Sequence, residues 1–469
     1  MTLDVKGSTT KNVRAARMRE RLGRLVVAGV ACAGVALALQ GGGVARADDA
    51  SEGAHKGDSQ AFDRIVANNI ASMTDQGRQT FRFDTFGDET FWGDQLQLRK
   101  AIEGAKLGGI GPGISPNGAL SLGLKVDVDA LPGNILGTLR SGKANLDDPA
   151  TTLALLKANA IVGVTGFFNG DGTLKSVGFQ CALCHSTVDN SLAFGIGHRL
   201  DGWANRDLNV GAIVSLAPNL KPFTDLLGVD AATVKKVLAS WGPGRFDAEL
   251  DKDGKALRPD GKQAGTLIPP AFGLAGVNLH TWTGFGSVPY WNAYVGATEM
   301  HGAGTFFDAR LADKNQYPVS AKSGAANTRD TPDRLTSKLA ALHLYQLAIP
   351  APKAPAGSYD KAAFERGKTL FDGAAKCATC HVPPLFTEPG NNLHTPAEVG
   401  VDSFQADRSP THMYRTAPLA GLWTHQKGGF YHDGRFATLL DVVNHYDQHL
   451  KLNLSDAQKK DLVEYLKGI

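Results

Sequence analysis

The sequence predicts a mainly α-helical protein in two unequal parts, and three observations lead to this prediction. The pentapeptide CALCH at 181–185 has a second copy, CATCH, at 377–381. Between the copies, AIPAPKAPAGS at 348–358 has the composition of an extended, stiff linker. Apolar residues at helical spacing recur along the chain. They predict helices near 62–75, 92–106, 150–160, 230–240 and 334–348, and two more after the linker.

The N-terminal segment has the pattern of a Sec-type secretory signal peptide. A basic stretch precedes an apolar run from Leu25 to Leu39, and ARA at 45–47 fits a small-x-small cleavage site. The run is shorter than the roughly 20 residues that a membrane span needs, so an uncleaved anchor is the alternative interpretation. We expect a mature chain that begins near Asp48 and lies in the periplasm or outside the cell.

Removal of this segment changes the charge balance. The full chain has 49 Lys+Arg and 46 Asp+Glu, of which residues 1–47 hold 8 and 2, so 41 and 44 remain. The mature chain is therefore slightly acidic, and nothing in its charge favours a nucleic-acid partner.

Residues 48–347 are rich in glycine and aromatic residues and are too long for a single small domain. The stretch 245–270 contains D-G turns and is typical of a loop or a small hairpin. Within it, DKDGK at 251–255 is similar to the start of a calcium loop, but the glutamate expected at the twelfth position is missing. We therefore predict loop-rich insertions here and no calcium loop.

The two pentapeptides have the C-x-x-C-H pattern of covalent haem c attachment. On a helical turn, positions i and i+3 share a face, so both thiols of a pair reach one porphyrin edge. The histidine that follows becomes the proximal iron ligand. Zinc modules bring their CxxC pairs much closer than the 193 positions between Cys184 and Cys377, and a redox-active CxxC needs no histidine after it. We therefore predict two haems, and the attachment residues are Cys181, Cys184 and His185, and Cys377, Cys380 and His381.

The part after the linker, 359–469, reads as a small cytochrome c domain. A helix with Phe364, Gly367 and Phe371 on one stripe precedes the second motif. A second helix follows a capping box formed by Ser455 and Gln458. Glycine at 367 would let these two helices approach closely. The predicted fold class is thus mainly α, with two cytochrome-c-like haem domains, of which the first is enlarged by insertions.

Two further stretches extend the interpretation: GIGHRLDGWANRDLN after the first motif and KGGFYHDGRFATLLDVVNHYD near the C-terminus. With the two CxxCH motifs, they resemble the bacterial di-haem cytochrome c peroxidases and the related MauG-type enzymes, with a looser likeness to rubber-oxygenase-type cytochromes. The likeness is specific over 360–469 and patchy over 175–310.

The resemblance implies distal iron ligands. His198 falls at the position of the distal histidine of the N-terminal haem. Tyr446 falls where the family has the distal Met or Tyr of the C-terminal haem, with His445 as the adjacent alternative and Met413 a weaker one. A tyrosinate would lower the reduction potential of that haem, and a methionine would raise it.

The resemblance also implies a catalytic set within SVPYWNAYVGATEMHGAG, residues 287–304. Trp291 matches the electron-relay tryptophan, with Trp282 as a competitor, and Glu299 matches the proton-transferring glutamate beside the N-terminal haem. A carboxyl group desolvated there acquires a raised pKa suited to peroxide cleavage. His301 is the alternative acid–base group.

The family further implies a calcium ion between the domains, for which Asn205 and Thr416 are candidates. The expected activity is reduction of hydrogen peroxide at the N-terminal haem. A small redox protein or a quinol-derived donor would deliver the electrons through the C-terminal haem, and the chain could form a homodimer. Two alternatives remain: MauG-like or rubber-oxygenase-like oxidation of another substrate, with dioxygen as a possible oxidant, and simple electron transfer by a non-enzymatic carrier.

Overall fold

Helices carry most of the regular structure in the computed structural model, which describes residues 48–425 and 427–469. The predicted signal segment, 1–47, lies outside the described residues. The mainly α class is confirmed. The helices are α1 Asp48–Phe83, α2 Leu98–Glu103, α3 Pro116–Ser121, α4 Gly133–Arg140, α5 Pro149–Lys157, α6 Ala182–His185, α7 Val210–Ser215, α8 Lys221–Leu227, α9 Ala231–Trp241, α10 Leu250–Asp253, α11 Val288–Tyr294, α12 Pro318–Ser323, α13 Leu339–Ala348, α14 Lys361–Asp372, α15 Pro396–Val399, α16 Phe404–Asp407, α17 Leu439–Leu450 and α18 Asp456–Gly468.

The strands are short and pair in twos. They are β1 Val126–Asp127, β2 Val164–Phe168, β3 Leu174–Phe179, β4 Ser186–Val188, β5 Ile196–Gly197, β6 Arg199–Asp201, β7 Arg245–Phe246, β8 Thr266–Leu267, β9 Thr305–Phe307 and β10 Asn327–Arg329. β1 pairs with β5 in parallel, whereas β2–β3, β4–β6, β7–β8 and β9–β10 are antiparallel. The β7–β8 pair closes the stretch 245–270, so the predicted small hairpin forms there.

Residues 62–469 form one compact unit, and every residue discussed below belongs to it. Its buried apolar side chains form three clusters. Two of them draw their residues from 81–349, and the third draws its residues only from 364–469. The predicted domain boundaries around the linker stay a prediction, and this division of the cores agrees with them.

The third cluster is built by α14 and α18, which cross at close range. A Cβ on Gly367 would lie 2.1 Å from the carbonyl oxygen of Asp461, so only glycine permits this approach. Tyr465 of α18 packs on Phe364 and Phe371 of α14, with ring centroids 4.9 and 5.0 Å apart. The capping box of Ser455 and Gln458 forms as predicted and begins α18 at the next residue.

Asp88 is a fully buried carboxyl group that fixes β3 to the turn after α1. Its two oxygens accept the amide N–H of Phe179, each at 3.2 Å. Burial raises the pKa of Asp88 to about 9, and the neighbouring Glu89 and Asp84 add to the increase. In the unfolded chain an aspartate titrates near ~4. The folded protein therefore holds a proton here at neutral pH.

We expect this group to make the protein less stable in alkali. Because the folded-state pKa is the higher one, the stabilisation is complete below about pH 4 and is lost as the pH rises through about 9. Asp88→Asn, which imitates the protonated acid, should match the wild type near pH 5 and exceed it near pH 9 by on the order of 1–3 kcal/mol. Urea denaturation at both pH values measures this. Asp94→Asn, at an exposed position, is the control and should follow the wild type at both pH values. The prediction would be contradicted if Asp88→Asn lost as much stability as the wild type between pH 5 and pH 9.

Candidate functional site

A single large cavity of about 1240 Å³ contains both CxxCH motifs. All six residues of the two motifs predicted to hold haem line its wall, and they are Cys181, Cys184, His185, Cys377, Cys380 and His381. Typical ligand pockets measure about 300–1,000 Å³, so this cavity exceeds the space that one small molecule needs. Its lining is largely apolar and aromatic, with a few polar groups directed inward.

Both motifs form a helical turn, and both histidines are held in the same way. His185 ends α6, and its Nδ1 lies 3.1 Å from the carbonyl oxygen of Pro269. His381 follows a turn of 3₁₀ helix at 377–379, and its Nδ1 lies 3.1 Å from the carbonyl oxygen of Phe386. A carbonyl oxygen can only accept, so each Nδ1 donates and the neutral ring keeps its lone pair on Nε2. This is the tautomer that a metal-bound histidine needs.

Burial keeps the two imidazoles neutral. It lowers the pKa of His185 to about 4 and also lowers the pKa of His381. Burial raises the pKa of Cys181, Cys184 and Cys377 to about 12. Redox-active CxxC pairs depend on a thiol of lowered pKa. The thiols therefore do not fit the redox-disulfide alternative, whereas histidines with a free Nε2 fit iron.

Two buried arginines, of which one lies in the cavity wall, have guanidinium N–H groups without hydrogen-bond partners among the described residues. Arg415 lines the cavity, and its Nε is buried without a hydrogen-bond partner among the described residues. Arg206 is also buried, and its Nε and Nη1 have no hydrogen-bond partners among the described residues. Burial lowers the pKa of both residues to about 10, and the charge of Arg245 adds to this effect at Arg206. Buried N–H groups of this kind require an acceptor, and the carboxylates of a porphyrin would supply one.

Beside the second motif, Tyr446 rather than His445 enters the cavity. Both lie on α17, but only Tyr446 is part of the cavity wall, where burial raises its pKa. The Nε2 of His445 donates to the carbonyl oxygen of Val399 at 3.0 Å, and its ring stacks on His449. The structure therefore places Tyr446 in the cavity wall and directs His445 to other partners, and the distal-ligand role of Tyr446 stays a prediction.

Beside the first motif, Glu299, Trp291 and His301 all line the cavity, as does the competing Trp282. Ser287 caps α11, which carries Trp291, and a π-helical turn at Val295–Glu299 continues from it. Turns of this kind often occur at functional sites. The Nε1 of Trp282 donates to Leu267, whereas that of Trp291 is buried without a partner among the described residues.

Glu299 and His301 differ in protonation. Burial raises the pKa of Glu299 well above its usual value, and the charge of Asp251 adds to the effect. One Glu299 oxygen, Oε1, is buried with no hydrogen-bond partner in the described part of the chain. Burial lowers the pKa of His301 to about 4, and its ring stacks on Phe91 at 3.5 Å. Burial therefore favours the protonated form of Glu299 and the uncharged form of His301.

His198 does not join this group. Its side chain is 57% exposed, and its Nδ1 lies 2.9 Å from Asp129. It is not part of the cavity wall. His198 is therefore a surface residue that pairs with Asp129. The structure does not bring it to the first motif as a distal ligand.

The two residues considered for calcium are engaged elsewhere. The Nδ2 of Asn205 donates to the carbonyl oxygens of Gly123 and Leu183. The Oγ1 of Thr416 donates to Glu388 at 2.5 Å. The Oδ1 of Asn205 accepts the amide N–H of Asp207, and the calcium ion between the predicted domains stays a prediction.

Sequence reasoning missed Lys252, Asp251 and Arg415 as parts of this site. Lys252 is fully buried and lies over the aromatic rings of the cavity wall, 5.5 Å from the centre of Trp291. One signal was available: alternating acidic residues in DAELDKDG at 247–254 are unusual next to apolar residues. Only the fold shows that they turn inward, because a charged run is normally exposed.

Comparison with known proteins gives partial structural matches only. No protein-family model matches the chain, and no curated protein matches it in sequence. Hydrazine synthase of Kuenenia stuttgartiensis is 21% identical over 45% of this chain and 75% of its own, with a TM-score of 0.27. A MauG-like protein associated with microbial copper homeostasis is 17% identical over 47% of this chain and 79% of its own, with a TM-score of 0.30. Similarities this weak do not establish a family for this chain.

Proposed function

We propose that the protein is a periplasmic or secreted di-haem c-type cytochrome that reduces hydrogen peroxide beside the first CxxCH motif. One observation carries this proposal: two CxxCH histidines line a shared cavity, and each donates Nδ1–H to a backbone carbonyl at 3.1 Å, which leaves the lone pair of the neutral ring on Nε2. The pairs of cysteines at 181 and 184 and at 377 and 380 would form the thioether bonds. The bound haems would supply iron that accepts electrons from a donor protein or quinol-derived donor and passes them to peroxide.

In this proposal, side chains of the protein donate a proton to peroxide and hold the haem groups in place. Reduction of hydrogen peroxide to two water molecules consumes two electrons and two protons. Glu299, protonated because of its burial, would donate a proton to the departing oxygen. Trp291, whose indole N–H has no partner among the described residues and whose ring lies on the cavity wall, would lie along the route between the motifs. Arg415 would neutralise a porphyrin carboxylate.

Tyr446 supports a second candidate function. It occupies the cavity beside the second motif where a methionine would favour electron transfer. A MauG-like oxidation of an organic or protein substrate is therefore the alternative to peroxide reduction.

The mass of the mature protein tests the haem assignment directly. We expect the polypeptide, made in cells that attach haem c, to be heavier by two haem groups. Cys181→Ala/Cys184→Ala and Cys377→Ala/Cys380→Ala should each lose one haem, and the first should also lose peroxide consumption with a reduced donor. A polypeptide-only mass in the wild type would overturn the assignment. Two haems with consumption of an organic substrate but no peroxide turnover would favour the second candidate.

A further inference from the structure

A buried cluster of charged residues lies beside Glu299. The segment 247–253, which includes α10, contributes four carboxyl groups within seven residues. With Glu299 they make five, against the two cations Lys252 and Arg408. The four carboxyl groups of the segment are Asp247, Glu249, Asp251 and Asp253.

Arg408 forms ion pairs with two of these carboxyl groups. It is 1% exposed, and its guanidinium group lies 2.9 Å from Asp247 and 2.8 Å from Asp253. These two ion pairs are short and occupy both N–H faces of the guanidinium. Arg408 therefore has little remaining capacity for the other three carboxyl groups.

Lys252 is the cation that lies near the other three carboxyl groups, which are those of Glu249, Asp251 and Glu299. Its Nζ lies 2.7 Å from Glu249, and the charges of Asp251 and Glu299 also raise its pKa. Its remaining surroundings are aromatic, with the ring centre of Tyr294 4.7 Å away. A single ammonium group cannot balance three buried carboxylates, so two negative charges would be left uncompensated if all three were ionised.

Uncompensated buried carboxylates take up protons rather than stay charged. Burial raises the pKa of Asp251 to about 7, and neighbouring Glu249 and Asp247 add to the increase while Lys252 opposes it. The hydroxyl of Tyr294 lies 3.4 Å from Asp251. Tyr317, the residue directly before α12, lies near Glu249 and Asp253, and its buried hydroxyl has no partner among the described residues. Asp247 is 4% exposed, and its Oδ2 also lacks a partner within residues 48–425 and 427–469.

A metal ion is the other way to neutralise the cluster, and the structure favours protons over it. The spacing E-x-D-x-D-G at 249–254 is similar to a calcium loop. However, the carboxylate of Asp253 is already bound by Arg408 and by the amide N–H of Lys255. The ammonium of Lys252 occupies the place beside Glu249 where a cation would bind.

We propose that Asp251 and Glu299 form a shared proton-holding site beside the ion pair of Lys252 and Glu249, and that this site returns a proton to Glu299 after Glu299 has donated one to the cavity. The use of the site rests on the proposed peroxide reduction, whereas the presence of its protons does not. In the return step, the Glu299 carboxylate accepts a proton from the acid form of Asp251, and the Asp251 carboxylate regains a proton from bulk water.

Infrared spectroscopy of the holoprotein tests whether this site holds protons at rest. We expect the wild type to absorb at the carbonyl stretch of a protonated carboxylic acid at pH 7, to shift in D₂O, and to lose part of that absorption as the pH rises above 7. Asp251→Asn should remove the absorption of a single carboxyl group and its titration near pH 7. Glu249→Gln is the second variant, because it removes the ion-pair partner of Lys252 and leaves Asp251 in place.

The buried acid Asp88 contributes to the same spectral region, so the wild-type spectrum minus that of each variant isolates the cluster. Asp260→Asn, at an exposed position in the stretch 245–270, is the matched control and should leave the spectrum unchanged. Identical spectra for the wild type, Asp251→Asn and Glu249→Gln would overturn the proposal. So would an increase in melting temperature on addition of calcium chloride that Asp251→Asn abolishes. Because no peroxide is used, a protein that shows the band but does not turn over peroxide would refute the proposed function and not this site.

Discussion

Glu299→Gln should slow peroxide reduction by about 10²–10⁴-fold while both haems remain attached. The amide has nearly the shape of the protonated acid, so the cavity wall is preserved, but it cannot transfer a proton to the departing oxygen. Its raised pKa and its buried Oε1, which has no partner among the described residues, support Glu299 as the proposed proton donor. The haem-to-polypeptide ratio and the initial rate with a reduced donor are the measurements.

A control separates proton donation from a general effect of charge. Glu365→Gln removes one carboxylate from an exposed position on α14 and should keep the wild-type rate. The pH profile adds a second criterion. The wild-type rate should fall as the cluster loses its protons above about pH 7, the pKa of Asp251, and the slow Glu299→Gln reaction should lack this dependence. Turnover within a few-fold of the wild type would remove Glu299 from the mechanism.

The sequence was most informative where local chemistry alone decides the structure. The CxxCH turns and the capping box at Ser455 each depend on a few neighbouring residues, and the structure shows both. The helices near 150–160 and 230–240 correspond to Pro149–Lys157 and Ala231–Trp241. Their apolar spacing is a local property that does not depend on the rest of the fold.

Residue roles that depend on distant packing were harder to predict. The position of His198 after the first motif suggested an iron ligand, but the pairing of β4 with β6 leaves this loop at the surface beside Asp129. His445 and Tyr446 are adjacent in sequence, and only the orientation of α17 separates a cavity residue from one bound to Val399. The inward-facing charges of 247–253 depend on Arg408, which is 155 positions from Asp253.

Gly367→Ala should destabilise the C-terminal helix pair by about 1–3 kcal/mol, the range for added atoms in a packed core. The new methyl group would lie 2.1 Å from the carbonyl oxygen of Asp461 and 2.8 Å from the Cβ of Tyr465. Neither atom can move without displacing the backbone of α18, because one is a main-chain oxygen and the other is the first side-chain carbon. The helices must therefore separate, and the ring contacts of Tyr465 with Phe364 and Phe371 weaken with them.

Gly137→Ala in α4 is the matched control, because a Cβ at this helical glycine meets no atom within 4 Å. In an open helical position alanine is favoured over glycine by roughly 0.5–1 kcal/mol, so this variant should be as stable as the wild type or slightly more stable. Urea denaturation of the holoprotein, followed by tryptophan fluorescence and by the absorption of the second haem, measures both variants. Equal midpoints for Gly367→Ala and Gly137→Ala would show that α14 and α18 do not depend on this contact. The second motif begins only five residues after α14 ends, so a loosened helix pair should also change the absorption of that haem before global unfolding.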